Sequence, residues 1–214
     1  MLGELEVLRQ GKPLALPPSR KTRALLAYIV LEGREHRRER LCDLFWDVAD
    51  DRRGALRWSL SKLRALVDGD QPRIVADRER VAFAARDVRV DALEIRRALV
   101  RTPLADTPIA ELERLSAAFR GELLEGLDLP DFDDYQAWCV AQREQARAER
   151  TSILGELVRR LAAEPERAVP YARAWVSIDG LDTSARATLV RLLGATGRRE
   201  EARQHYEAGR RTER

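Results

Sequence analysis

Basic side chains are concentrated in one short stretch of the sequence, which contains no acidic residue between Arg52 and Leu66. The basic residues of this stretch are Arg52, Arg53, Arg57, Lys62 and Arg64. Arginine and lysine bind phosphates, and an arginine can also donate two hydrogen bonds to O6 and N7 of guanine in the major groove of DNA. The stretch therefore indicates recognition of a nucleic acid, provided that a rigid element presents these side chains together.

The segment from Asp50 to Asp68 is predicted to be that element, a single amphipathic helix. Apolar residues recur in it at steps of three or four, which places them on one face. They are Leu56, Leu60, Leu63 and Val67. The flanks of this stripe carry Arg57, Ser61 and Arg64 on one side, and Trp58 and Lys62 on the other. A basic helix face is usually only a solvated surface. Whether this one instead binds a nucleic acid depends on the elements that surround it in the fold.

The residues around this helix predict a winged helix-turn-helix. A short hairpin turns at Gln10-Gly11, a first helix runs from Ser19 to Gly33, and a second runs from Arg38 to Trp46. After the basic helix, strands at Ile74–Ala76 and Val81–Phe83 form a final hairpin. In a winged helix the third helix enters the major groove of DNA, and the hairpin reaches the flanking backbone.

Candidate DNA-binding residues therefore come from the basic helix and from the final hairpin. They are Arg53, Arg57, Trp58, Ser61, Lys62, Arg64, Arg78 and Arg80. The last two lie at the predicted hairpin tip, where they would contact the backbone or a minor groove. The net charge of the chain is only +3, but 19 basic and 15 acidic residues lie in the part through Asp91, against 20 and 21 in the remainder. The positive balance thus lies in the same part as the predicted winged helix.

From Val90 onward the sequence predicts helices only. They are expected at Asp91–Arg101, Ile109–Leu124, Tyr135–Ala163, Glu166–Ser177, Thr183–Gly194 and Arg198–Arg210. Ala168 and Ala202 hold equivalent places 34 residues apart, which is the period of tetratricopeptide repeats. The predicted fold class is mostly α, with an N-terminal winged helix-turn-helix and short β-hairpins in residues 1–90 and an all-α, tetratricopeptide-like domain in residues 91–214. The sequence stops inside or just after a helix, and whether the natural protein continues past Arg214 into a further domain stays open.

Several segments resemble the SARP/AfsR-type bacterial transcriptional regulators. In the front part the matching residues are Pro18, Ser19, Arg20 and Lys21, then Arg38, Glu39, Arg40, Leu41 and Trp46, then Leu56, Arg57, Leu60, Ser61, Lys62, Leu63 and Arg64. In the back part they are Phe119, Arg120, Gly121, Leu124, Gly126, Trp138, Arg143 and Glu144. The resemblance implies an OmpR-like winged helix followed by a bacterial transcriptional activation domain. It also implies double-stranded DNA and RNA polymerase as partners, and a homodimer on a direct repeat.

Trp58 departs from the family pattern, in which a polar residue is common at this place. It points away from the leucine stripe, so two interpretations stay open: contact with a thymine methyl group, or packing on another protein surface, which the sequence favours. The second interpretation leads to an alternative function, a protein-interaction module at the N-terminus of a larger signalling protein, without site-specific DNA binding.

Enzymatic, metal-binding and membrane functions find no support in the sequence. There is no phosphate-binding glycine motif and no plausible nucleophile–base pair, and His36 and His205 are expected at the surface. The acids from Asp128 to Asp134 lack calcium-loop spacing, and the expected role of Asp131 or Asp133 is to cap the next helix. Two isolated cysteines, the lack of a long apolar run and the lack of a signal peptide predict a cytoplasmic protein without cofactor or metal. Cys42 and Cys139 are expected to be buried.

Overall fold

A computed structural model describes residues 1–47 and 51–212, so that Asp50 and Arg214 lie outside the described residues. The chain is mostly α-helical, as predicted. It forms two compact units, each built from two segments. Unit 1 consists of Met1–Glu94 and Arg120–Glu144, and unit 2 consists of Ile95–Phe119 and Gln145–Arg214. The sequence predicts a single division of the chain near residue 90.

The helices and strands of the described chain follow each other in this order: β1 (Gly3–Glu4), β2 (Leu8–Arg9), β3 (Lys12–Pro13), α1 (Arg20–Glu32), β4 (His36–Arg37), α2 (Arg38–Phe45), α3 (Arg52–Val67), β5 (Ile74–Ala76), β6 (Arg80–Phe83), α4 (Asp91–Arg101), α5 (Ile109–Ala117), β7 (Leu123–Glu125), α6 (Asp133–Arg160), α7 (Pro165–Ile178), α8 (Thr183–Ala195) and α9 (Arg199–Thr212). A short 3₁₀ turn at Leu104–Asp106 precedes α5.

Unit 1 confirms the predicted order of hairpin, two helices, basic helix and hairpin. The Ser19 hydroxyl accepts a hydrogen bond from the Thr22 N–H and begins α1, and Gly33 ends the helix in the left-handed region at φ 62°. Strands β2 and β3 pair antiparallel, as do β5 and β6. The local sequence signals for caps and turns are therefore sufficient to place these elements.

Three strands of unit 1, β1, β4 and β7, were not predicted, because their partners are distant in sequence. Strand β4 pairs with β6 and gives a three-stranded sheet in the order β4-β6-β5. Strand β1 pairs in parallel with β7. The predicted helix from Ile109 to Leu124 is correspondingly wrong: it ends at Ala117, and Leu123 and Leu124 lie in β7.

His36 is buried, and its prediction as a surface residue is wrong. Its side chain is only 4% exposed, and its ring lies 5.0 Å from that of Tyr28. Burial and the nearby Arg34 charge lower the pKa of His36, which favours the neutral ring. The local residues predict a basic turn here, whereas pairing of β4 with β6 draws the histidine into the core. Cys42 and Cys139 are buried free thiols, as expected.

An aromatic cluster connects the two segments of unit 1. The ring of Tyr28 lies 4.8 Å from that of Trp138 and 5.8 Å from that of Phe45, and Phe45 lies 5.2 Å from Tyr135. The Trp138 indole N–H donates to Glu32 at 2.8 Å. Offset and edge-to-face aromatic pairs add to the free energy gained by burying the rings. Helices α1 and α2 are therefore packed against the beginning of α6.

Arg143 fixes the conformation of β7 and the turn after it. Its guanidinium donates to the carbonyl oxygens of Leu123 and Leu124 at 3.0 and 3.1 Å, and to both carboxylate oxygens of Asp128 at 2.7 and 3.1 Å. The Arg143 side chain is 11% exposed, and Leu124 has a left-handed φ of 57°. The role of Asp128 is therefore that of an ion-pair partner.

Acid should weaken this arrangement. The hydrogen bonds from Arg143 hold the pKa of Asp128 at about 2, below its ordinary 3.8. A carboxylate whose pKa is lowered by folding stabilises the protein above its unfolded-state pKa, and this stabilisation is lost as the pH falls through the folded-state value. We expect the unfolding free energies of the wild type and of Asp128→Asn to differ by a constant amount at neutral pH, and to converge as the pH falls from 3.8 towards 2. Urea unfolding across this range measures the difference; a constant gap would contradict the assignment.

The C-terminal part of unit 2 consists of helices α7, α8 and α9, which pack on each other in sequence order. Asp182 begins α8 by accepting hydrogen bonds from the Ser184 and Ala185 N–H groups. Ala168 in α7 and Ala202 in α9, the two equivalent alanines, are both buried. These helical hairpins agree with the predicted tetratricopeptide-like arrangement.

Candidate nucleic-acid interface

Helix α3 is held in unit 1 by a buried apolar face and one buried polar contact. Leu56, Leu60 and Leu63 are buried, as predicted, whereas the fourth buried leucine is Leu66 and the predicted Val67 is only partly covered. The Ser59 hydroxyl hydrogen-bonds the Thr22 hydroxyl of α1 at 3.0 Å. A buried pair of hydroxyls is stable only when each finds a partner, so this contact sets how α3 is rotated against α1.

Both ends of α3 are capped. The Asp51 carboxylate accepts a hydrogen bond from the Gly54 N–H at 2.9 Å and caps the beginning of the helix. At the other end, Arg9 from β2 donates to the carbonyl oxygens of Leu66 and Asp68 at 3.0 and 2.8 Å. A guanidinium at this end also interacts favourably with the helix dipole.

The end of α3 is joined to the β5–β6 hairpin. One Asp68 carboxylate oxygen accepts hydrogen bonds from the N–H groups of Arg73 and Ile74 at 2.7 and 3.1 Å. The Arg64 Nε–H donates to the Ile74 carbonyl oxygen at 3.4 Å. The hairpin therefore keeps a fixed place beside the helix, which a surface that reads a rigid duplex requires.

Four of the eight predicted site residues form the exposed middle of α3. They are Arg57, Trp58, Ser61 and Lys62. Within the described part of the chain, the guanidinium of Arg57 has no hydrogen-bonding partner and no ion pair. The Lys62 ammonium lies 5.5 Å from the centre of the Trp58 ring, a cation–π contact across one turn of the helix. The structure thus brings an unpaired guanidinium, an ammonium, a hydroxyl and an indole together on one surface.

Two further predicted residues form exposed ion pairs. Arg53 pairs with Glu39 of α2 at 3.2 Å, and Arg80 pairs with Glu35 at 2.8 Å, which raises the pKa of Arg80. Exposed pairs of this kind are weak, so a phosphate can replace the carboxylate at little cost. Sequence reasoning did not foresee these pairs, because their partners lie on other elements.

The tip of the hairpin is a tight turn with Arg78 exposed in its middle. The Asp77 carboxylate accepts hydrogen bonds from the N–H groups of Glu79 and Arg80, both at 2.7 Å, which lowers the pKa of Asp77. Arg38 at the beginning of α2 donates to the Asp77 carbonyl oxygen at 3.1 Å. The tip is therefore attached to α2, and Arg38 is a basic residue of this surface that the sequence analysis did not select.

The described residues contain no group of three histidine, cysteine or acidic side chains placed to hold a metal ion. None of the helices in the described part is long and apolar enough to cross a lipid bilayer.

A comparison with protein-family models matches residues 87–214 to the bacterial transcriptional activator domain. The chain belongs to this family. Bacterial transcriptional activator domains are regulatory domains rather than a family of enzymes, so the comparison places the chain among regulators of transcription. A search of curated proteins finds no match to the chain.

The activator-domain match includes β7, Arg143 and the beginning of α6, all of which belong to unit 1. The part of the family segment that lies in unit 1 therefore shares a core with helices α1 and α2, through the rings of Tyr28, Phe45, Tyr135 and Trp138. The candidate interface is thus carried by a unit to which the activator domain itself contributes.

Proposed function

We propose that this chain is a DNA-binding transcription regulator of the SARP/AfsR type. Its residues 1–90 act as a winged helix, in which α3 enters the major groove and the β5–β6 hairpin is the wing. The observation that supports this most is the exposed basic face of α3, with Arg57 unpaired among the described residues and the wing joined to the helix through Arg64 and Asp68.

Each candidate residue has a distinct role in the proposal. Arg57 bonds to a base edge, since it lies in the middle of the exposed helix face and has no competing carboxylate. Lys62 and Ser61 contact phosphates. Arg53 and Arg80 exchange Glu39 and Glu35 for phosphates, and the remaining contacts come from Trp58, Arg64 and Arg78.

Residues 91–214 serve, in this proposal, as the activation domain, which contacts RNA polymerase or a second protomer of a homodimer on a direct repeat. Leu181 before α8 and Tyr206 in α9 are large exposed side chains of unit 2. Arg186 donates to the carbonyl oxygens of Gly180 and His205, next to these two residues. This arrangement supports a partner surface on α8 and α9, and such a regulator would act in the cytoplasm.

The test is binding of the whole chain to DNA duplexes selected from a randomised pool, measured by fluorescence anisotropy at roughly 50 and 200 mM salt. Selective, salt-dependent binding is expected. Selection that enriches no duplex, together with salt-independent association, would contradict the proposal.

Lys62→Gln should reduce the salt dependence of this binding. If Lys62 neutralises one phosphate, the slope of log K against log salt falls by about 0.9, because one fewer counterion is released. Arg191→Gln provides the matched control. Arg191 is an exposed residue of α8, and its substitution removes the same charge at a position far from α3 in sequence. Equal slopes for Lys62→Gln and the control would show that Lys62 does not touch a phosphate.

The second candidate function is a protein-interaction module without site-specific DNA binding. The 49% exposure of Trp58 favours it, because a half-exposed indole is a common anchor at protein interfaces. The same selection experiment separates the two functions, since only the first yields a preferred duplex.

A further inference from the structure

Trp58 is not part of the buried core of unit 1. It is 49% exposed on α3, on the side away from the buried leucines. One turn earlier stands Gly54, which has no side chain of its own, and the Asp51 carboxylate that caps the helix lies beside it. A large apolar surface is therefore presented at the centre of the exposed helix face.

The charges around the indole favour a polyanionic partner over an apolar protein surface. Lys62 lies 5.5 Å from the ring centre, Arg57 is the preceding residue, and α3 contains no acidic residue. An apolar protein surface that covered Trp58 would have to remove water from both cations without compensating their charge, which is costly. A DNA duplex provides phosphates for the cations and a groove for the ring.

Only one apolar group projects from the base pairs into the major groove, the 5-methyl group of thymine. We propose that Trp58 is a specificity-determining residue that packs on this methyl group, at a thymine beside the base pair that Arg57 reads. This inference rests on the proposed function and adds to it the kind of sequence that α3 prefers.

The experiment uses the whole chain and the preferred duplex obtained from the randomised pool. Each thymine of that duplex is replaced in turn by deoxyuridine, which lacks the methyl group and keeps the same pairing. We expect one replacement in each half-site to weaken wild-type binding about fourfold. This factor corresponds to the free energy gained by burying one methyl group. The Trp58→Ala variant should bind the methylated and unmethylated duplexes equally, and Trp58→Phe should keep most of the discrimination.

The outcomes separate the inference from the proposed function. If a preferred duplex exists, but every deoxyuridine replacement affects wild type and Trp58→Ala alike, the thymine contact is overturned and DNA reading stands. If no duplex is preferred, DNA reading fails and the inference fails with it. If Trp58→Ala binds DNA as the wild type does but loses self-association in sedimentation, Trp58 is a protein contact. The thermal unfolding temperature should change only slightly in Trp58→Ala, because the residue is half exposed and lies outside the buried core.

Discussion

Replacing Arg57 by alanine should weaken binding to the preferred duplex by about 1–3 kcal/mol and relax the preference at one base pair. Arg57 is the exposed arginine of α3 whose guanidinium is already available within the described structure, so that no ion pair has to break before it reaches a base. A guanidinium that donates two hydrogen bonds to guanine loses both when it is truncated. Anisotropy titrations with the preferred duplex and with its single-base variants measure the affinity and the preference.

The matched control for this prediction is Arg191→Ala, an exposed arginine of α8. Both variants lose one positive charge, so an effect of the net charge alone would appear in both, whereas a loss confined to the α3 face appears only in Arg57→Ala. If Arg57→Ala behaves as Arg191→Ala does, the assignment of the reading face to the middle of α3 is wrong. Arg57→Lys provides a second comparison, because lysine keeps the charge and loses the bidentate geometry, and it should recover the general affinity without the base preference.

Arg64 is a less informative choice, although the sequence places it on the same flank as Arg57. Its Nε–H donates to the Ile74 carbonyl oxygen at the start of the wing. Replacement of Arg64 would thus change the attachment of the wing as well as any contact with a base. The helical periodicity alone does not distinguish these two arginines; the partner of Arg64 is on another element.

Sequence signals that act over a few residues predicted the fold well. The Ser19 cap and the Gly33 end of α1 follow from side-chain and backbone preferences that need no distant partner. The leucine stripe of α3 followed from periodicity in the same way, with Leu66 in place of Val67 at its end. The predicted faces of α3 are accordingly the observed ones.

Contacts between distant residues could not be predicted in this way. Strand β4 exists because His36 and Arg37 pair with Val81 and Arg80, and nothing in the local sequence distinguishes that segment from a basic turn. The residues around Leu123 likewise predict the end of a helix, because their pairing with β1 is not visible in the local sequence. The ion pairs of the site could not be predicted for the same reason. Arg53 and Arg80 are paired with acidic residues that lie far from them in sequence, so the sequence does not show which guanidinium groups are paired.

The aromatic cluster means that the chain cannot be cut at residue 90 without disrupting unit 1. Tyr135 and Trp138 lie within the activator-domain match, and their rings pack on Phe45 and Tyr28 of the helices that support α3. A cut at residue 90 would remove these rings and expose apolar surface of α1 and α2. The proposed DNA-reading surface is therefore best studied in the whole chain.

Replacing Arg143 by methionine should lower the free energy of unfolding by roughly 2–4 kcal/mol. The change leaves the carbonyl oxygens of Leu123 and Leu124 without their donor and the Asp128 carboxylate without its counter-charge. The effect stays below that of a fully buried pair because Asp128 is 43% exposed and water can solvate its carboxylate. Methionine preserves most of the length of the side chain, so that the loss reports the polar contacts. Urea unfolding followed by far-ultraviolet circular dichroism measures it.

The control for Arg143→Met is Arg159→Met, which removes the exposed pair between Arg159 and Glu156 on α6. An exposed pair one turn apart on a helix contributes little to stability, so this variant should unfold almost as the wild type does. Similar losses for the two variants would mean that the Arg143 contacts are no stronger than a surface pair. Because β7 and α3 belong to the same unit, Arg143→Met should also lose DNA binding at a lower temperature than the wild type, whereas Arg159→Met should not.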